Sequence, residues 1–175
     1  MIRATFLPLT AALAFAMPAA AVAATCDVWA HVNDRDPKGT NLRAAPSAKA
    51  RVLMRLETYR IAGRDDALPP IVRVIGQRGQ WFRISAVEAP IGRNVFKATA
   101  WVHGSLLAVQ VRGASVLYRG RSTKSGKVHD TGDVEAEGRL LACLGKWVRV
   151  RHGETKRTGW LAPGSHCPGA ETTCS

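Results

Sequence analysis

Aromatic side chains make up only 6% of these 175 residues, and acids are outnumbered, with 13 Asp and Glu against 25 Lys and Arg. Beyond the N-terminal segment no apolar run approaches the roughly 20 residues that a membrane-spanning helix requires, so such a helix is excluded there. The chain is also shorter than the roughly 200 or more residues of an alternating strand-and-helix barrel. It has no Gly-rich phosphate loop, no Ser/His/Asp arrangement placed by turn context, and no pair of acids that stands out as a catalytic dyad. His129, His152 and His166 lack the short paired-ligand spacing of structural zinc, so neither a metal nor a cofactor is expected. What remains is 46% apolar and 22% charged. That composition belongs to a folding chain rather than a disordered one.

The first residues combine one positive charge at Arg3, an apolar stretch from Ala4 to Met17, and the small residues Ala19 to Ala24 after Pro18. These are the three parts of a secretory signal, and Ala21-Val22-Ala23 supplies the small-x-small pattern before a cleavage point. A signal peptide over 1–23 is expected, and with it a periplasmic or secreted location. Export sets how the thiols are read. The four cysteines Cys26, Cys143, Cys167 and Cys174 all follow the signal, and an even number in an oxidising compartment points to disulfides. Three connectivities are open. Because Cys143 precedes one apparent strand and Cys167 follows the last, Cys143–Cys167 with Cys26–Cys174 is the favoured pairing.

Short alternating segments bounded by Gly, Pro, Asn and Asp fill the rest of the chain. Examples are Arg51-Val52-Leu53-Met54-Arg55-Leu56, Ile71-Val72-Arg73-Val74-Ile75, Trp81-Phe82-Arg83-Ile84 and Trp147-Val148-Arg149-Val150. Period-two alternation of this kind predicts an all-β fold. The chain is also self-similar. Gln80-Trp81-Phe82-Arg83-Ile84 is followed by Ala100-Trp101-Val102-His103, and Lys146-Trp147-Val148-Arg149-Val150 is followed by Gly159-Trp160-Leu161. An opening segment precedes each pair, Asn41-Leu42-Arg43-Ala44-Ala45-Pro46-Ser47 in one copy and Val116-Leu117-Tyr118-Arg119-Gly120-Arg121-Ser122 in the other. Two units are therefore expected, over 24–112 and 113–175.

A Leu-Arg opening with a Pro-Ser turn, a turn into Trp-Phe-Arg-Ile, and a following small-Trp-Val strand resemble the bacterial SH3-like (SH3b) domains of exported proteins. The likeness covers nearly all of the chain after the signal as two tandem copies. The second diverges, with Leu-Tyr-Arg at its opening and no Pro in the turn. What the resemblance implies is two small, partly open β-barrels that act as targeting or binding modules without catalysis, often on cell-wall peptidoglycan or its peptides.

Alternation places Phe82 and Ile84 on one face of their strand with Trp81 and Arg83 on the other, and opposes Val148 and Val150 to Trp147 and Arg149. The aliphatic face is core. A Trp beside an Arg on the opposite face either covers the sheet or stacks on a ligand while the guanidinium reaches a carboxylate. The candidate ligand-binding residues are Arg43, Trp81, Arg83 and Trp101 in the first copy and Tyr118, Trp147 and Arg149 in the second. Trp101 and Trp160 each follow a small residue and start a short strand, where closing a small barrel favours packing over ligand contact for both. No catalytic residue is expected. Ser165-His166-Cys167 approaches the signature of cysteine transpeptidases, but the Gly is missing and a disulfide-bonded Cys167 has no thiolate.

The net charge of +12 suits the anionic partners of a cell envelope, such as stem-peptide carboxylates, lipid phosphates and acidic polysaccharides. The expected partner is peptidoglycan or an envelope protein. A protein–protein or inhibitor module using the Ser85–Thr99 connection is the alternative. Nucleic acid is disfavoured because an exported chain seldom meets it.

Overall fold

A computed structural model describes residues 24–60, 67–89, 93–133 and 135–169. The signal segment over 1–23 and Cys174 lie outside the described residues. The first half contributes β1 (Ala24–Val32), β2 (Thr40–Arg43), β3 (Val52–Leu56), β4 (Tyr59–Arg60), β5 (Ala67–Leu68), β6 (Ile71–Arg78), β7 (Trp81–Ala89), β8 (Arg93–Phe96) and β9 (Ala100–His103). A single 3-10 turn, Gly104–Leu106, leads into β10 (Leu107–Val111). Then come β11 (Val116–Tyr118), β12 (Lys127–Asp130), β13 (Ala136–Leu144), β14 (Trp147–His152), β15 (Thr158–Leu161) and β16 (His166–Cys167). The all-β expectation holds.

Among the described residues the strands form one continuous 14-stranded antiparallel sheet that is not closed into a barrel, and β4 and β5 pair in a second, two-stranded sheet. The larger sheet follows the order β12-β11-β15-β14-β13-β10-β1-β6-β7-β9-β2-β3, with β8 added on β7 and β16 on β10. The path does not close on itself. Strands β1 and β10 join the two halves, His31 lying opposite Ala108 and Val32 opposite Leu107. Outward from this seam each half repeats the same order: β1-β6-β7-β9-β2-β3 on one side, β10-β13-β14-β15-β11-β12 on the other. In chain order β10 therefore stands to β11 as β1 stands to β2.

The repeated hairpins show why these residues form these strands. Arg78 faces Trp81 across one two-residue loop and Leu144 faces Trp147 across another. The first loop residue is Gly79 (φ 58°) in one and Gly145 (φ 54°) in the other. A left-handed residue there matches the turn to the twist of the strands, and glycine adopts it without steric cost. The strands that follow bury Phe82 and Ile84, or Val148 and Val150, on the inner face. These side chains and Val28, Val74, Val102, Val109, Leu117 and Leu161 belong to one hydrophobic cluster that runs through both halves.

Polar links also cross the seam. The Gln77 amide donates to Leu141 O at 3.0 Å while its carbonyl accepts from Cys143 N at 3.1 Å. The expected Cys143–Cys167 disulfide is corrected: Cys143 pairs with Cys26, at a Cα–Cα distance of 5.6 Å. The cause is the placement of β1. Asp27 N donates to Gly145 O and Gly145 N donates to Thr25 O, both at 2.8 Å, which lays the start of β1 against the β13–β14 turn. Cys143 lies inside β13 and meets the strand that sequence order puts farthest away. Cys167 is also disulfide-bonded.

Candidate functional site

Five of the seven predicted ligand residues fall into two rows on the outer face of the sheet, one in each half, and Trp81 and Trp147 lie beside them. In the first, Arg43 on β2 lies opposite Trp101 on β9, and Trp101 lies opposite Arg83 on β7. In the second, Tyr118 on β11 lies opposite Trp160 on β15, and Trp160 lies opposite Arg149 on β14. Each row continues to a small residue on the next strand, Gly76 opposite Arg83 and Ala142 opposite Arg149. Strands β6, β1, β10 and β13 separate the rows.

Inner neighbours force these side chains outward. Ala100 and Val102 are buried on either side of Trp101, and Gly159 and Leu161 on either side of Trp160, so alternation leaves both indoles half-buried on the outer face. Trp160, which is not among the seven predicted ligand residues, occupies the centre of the second row. The repeat itself carried the signal, because Trp160 stands in its unit where Trp101 stands in the other.

Neighbouring groups hold each row in place. Trp81 is half-buried and meets the His103 ring edge-on, with centroids 5.2 Å apart. His103 Nε2 lies 3.0 Å from Gln80 Oε1, and its Nδ1 lies 2.7 Å from Ser105 Oγ and also accepts from Ser105 N. The carboxamide oxygen can only accept, so Nε2 carries the proton. Arg43 is partly committed to its own hairpin, Nη1 donating to Ala50 O at 2.8 Å. In the second row Tyr118 meets Trp147 edge-on at 6.3 Å, and the Arg121 guanidinium sits 5.7 Å from the Trp160 ring centroid. Arg83 and Arg149 are exposed.

Such rows can offer two things to a ligand: an aromatic surface already desolvated on one side, and a guanidinium fork for a carboxylate or phosphate. They contain no nucleophile and no carboxylate. The residues weighed for other chemistry lie elsewhere. His129 and His152 make a ring contact at 5.9 Å. His152 is buried, its Nδ1 accepts from Thr155 N at 3.3 Å, and burial followed by the charge of His129 holds its imidazole below the ordinary range. His166 lines a cleft of about 180 Å³ between β1, the β13–β14 turn and the segment before β16, together with Asp27, Trp29, Lys146, Pro163 and Pro168. Burial also holds His166 below the usual imidazole range.

Sequence reading also missed a polar strap across the seam. His31 is buried, with Nδ1 2.6 Å from Pro168 O and Nε2 3.1 Å from Glu137 Oε2. Asn33 donates to the other oxygen of the same carboxylate. The His31 hydrogen bond, the largest cause, and the nearby charges of His31 and Arg35 hold Glu137 below the ordinary carboxylate range, against the opposing effect of partial burial.

The chain matches no protein-family model and no curated protein. Among solved structures it is similar to two chains from Trichomonas vaginalis. One is described as NlpC2, with 10% identity and a TM-score of 0.34 over 82% of this chain and 48% of that one. The other is described as NlpC1, with 13% identity and a TM-score of 0.33 over 89% of this chain and 50% of that one. This chain thus spans about half the length of either.

Proposed function

We propose that this chain is an exported, non-enzymatic binding module that recognises peptidoglycan or its stem peptides through the two outer rows. The observation that supports this reading is the duplication of one constellation, Arg43–Trp101–Arg83 in one half and Tyr118–Trp160–Arg149 in the other, at equivalent strand positions. In this reading the tryptophans stack on the sugar or peptide frame while Arg83 and Arg149 pair with stem-peptide carboxylates. The halves over 24–112 and 113–175 act as two SH3-like copies. The N-terminal signal composition and the even number of cysteines support export to the periplasm or the exterior. The loss of the Cys167 thiolate to a disulfide supports a role without a cysteine nucleophile.

Co-sedimentation with purified peptidoglycan in low and high salt tests the reading. The chain is expected to pellet with the wall material, with part of the binding surviving high salt because stacking is not screened. The double variant Trp101→Ala/Trp160→Ala is expected to pellet at least several-fold less. Failure of the wild-type chain to pellet in either salt overturns the proposal.

A second reading, a protein–protein module, is favoured by one feature. Strand β8, within the Ser85–Thr99 connection, pairs only with β7 among the described residues. Among the described residues its other edge carries no strand, as strand addition by a partner peptide requires. Retention of an envelope protein that is lost on proline substitution at Val95, with no binding to wall material, would select this reading.

A further inference from the structure

The outer face of the second half carries a charge arrangement that the rows do not explain. Arg139 on β13 lies directly opposite Arg151 on β14. Arg149 stands two residues before Arg151 on the same face, opposite Trp160, and Arg121 lies over that indole. Arg139, Arg149 and Arg151 are exposed, and none forms an ion pair among the described residues. The carboxylate nearest along the strand, Glu137, is engaged by His31 and Asn33. Like charges directly opposite on an antiparallel pair destabilise it. The first half avoids this at the corresponding place. Its Arg73 lies opposite Ala86 and is held by the Asp27 carboxylate at 3.2 Å.

We propose that Arg139, Arg149 and Arg151 form a site for a phosphorylated sugar, the guanidinium forks taking a phosphomonoester and the adjoining Trp160–Tyr118–Trp147 surface taking the sugar ring. The charge count selects the ligand class. One carboxylate leaves most of the local positive charge uncompensated, whereas a phosphomonoester carries about −1.5 to −2 charges and three acceptor oxygens. Planar guanidinium groups bind such oxygens in bidentate fashion. Tyr118, Trp147 and Trp160 beside them are half-buried, with the Arg121 guanidinium over the Trp160 ring, and such rings pack against the apolar surface of a pyranose. The site shares Arg149, Trp160 and Tyr118 with the second row and goes beyond the wall-peptide reading through Arg139 and Arg151, which belong to neither row.

Isothermal titration of the full chain with N-acetylglucosamine 6-phosphate tests the proposal, with N-acetylglucosamine, glucuronic acid and inorganic phosphate as comparators. The sugar phosphate is expected to bind at least about tenfold more tightly than the neutral sugar or the uronate, because the charged hydrogen bonds set the difference. Inorganic phosphate is expected to bind more weakly than the sugar phosphate, and Trp160→Ala is expected to abolish that gap. Arg139→Gln/Arg151→Gln is expected to lose about tenfold or more, with a melting temperature equal to or above wild type because the like-charge pair is gone. Arg139→Lys/Arg151→Lys keeps the charge but loses the fork and is expected to fall between the two. Equal binding of sugar phosphate and uronate, or unchanged affinity in the Gln double variant, overturns the proposal. A failure of peptidoglycan to pellet the chain leaves these outcomes untouched, so the two tests fail separately.

Discussion

Trp101 and Trp160 show what a single side chain can and cannot reveal before its neighbours are placed. Each follows a small residue, and each is turned outward because the residues on both sides of it are buried. Gly159 shows the constraint most sharply. A Cβ there would stand 2.7 Å from Leu117 Cβ and 3.1 Å from Tyr118 O, neither of which is the end of a flexible side chain. Gly159→Ala is therefore expected to destabilise the fold by about 1–3 kcal/mol through overpacking, read as a lower urea midpoint at unchanged slope. A variant as stable as wild type would mean that β11 and β15 are not packed this closely. At this scale the sequence was largely legible. Alternation placed Phe82, Ile84, Val148 and Val150 inside and Trp81, Arg83, Trp147 and Arg149 outside, and the structure agrees. His31 was not legible, because its partners Glu137 and Pro168 lie 106 and 137 residues away.

Among the elements, the twin hairpins β6–β7 and β13–β14 were readable from local signals, since turn glycines and flanking alternation act over a few residues. The position of β1 was not. It neighbours β6 on one side and β10 on the other, a non-local pairing that no short-range pattern encodes. The disulfide expectation failed for that reason, since Cys26 reaches Cys143 only once β1 has been laid against the β13–β14 turn. The bond spans 117 residues. Closing a loop of that size restricts the unfolded chain by up to about 5 kcal/mol in the chain-entropy model. Cys26→Ser is expected to lower stability by several kcal/mol in equilibrium denaturation under non-reducing conditions. A loss below about 1 kcal/mol would show that the β1–β13 contact holds without the bond.

For the molecule as a whole, the repeat was visible in the sequence, but the way its halves meet was not. One sheet and one hydrophobic cluster run through both, with His31, Gln77 and the Cys26–Cys143 bond crossing the seam. Acid should act on this fold in two stages. His152 and His166 are held below their ordinary imidazole range, so the unfolded chain takes up protons first, and the stability of their neutral forms is lost as the pH falls through that range. Glu137 is held below the carboxylate range; its contribution is present above the unfolded value and is lost as the pH falls further, through the folded one. Thermal melts from pH 8 to pH 3 are expected to decline in both windows. Glu137→Gln should remove part of the lower step only, and a modest part, because this carboxylate is half exposed and screened. A melting temperature independent of pH across both windows would contradict these placements.

The most direct test of the binding role is a titration of the isotope-labelled chain with a soluble muropeptide, followed residue by residue by NMR. The expected result is saturable shifts concentrated on β2, β7 and β9 around Arg43, Trp81, Arg83 and Trp101, and on β11, β14 and β15 around Tyr118, Trp147, Arg149 and Trp160. Shifts confined to other strands, or none at millimolar ligand, would contradict it.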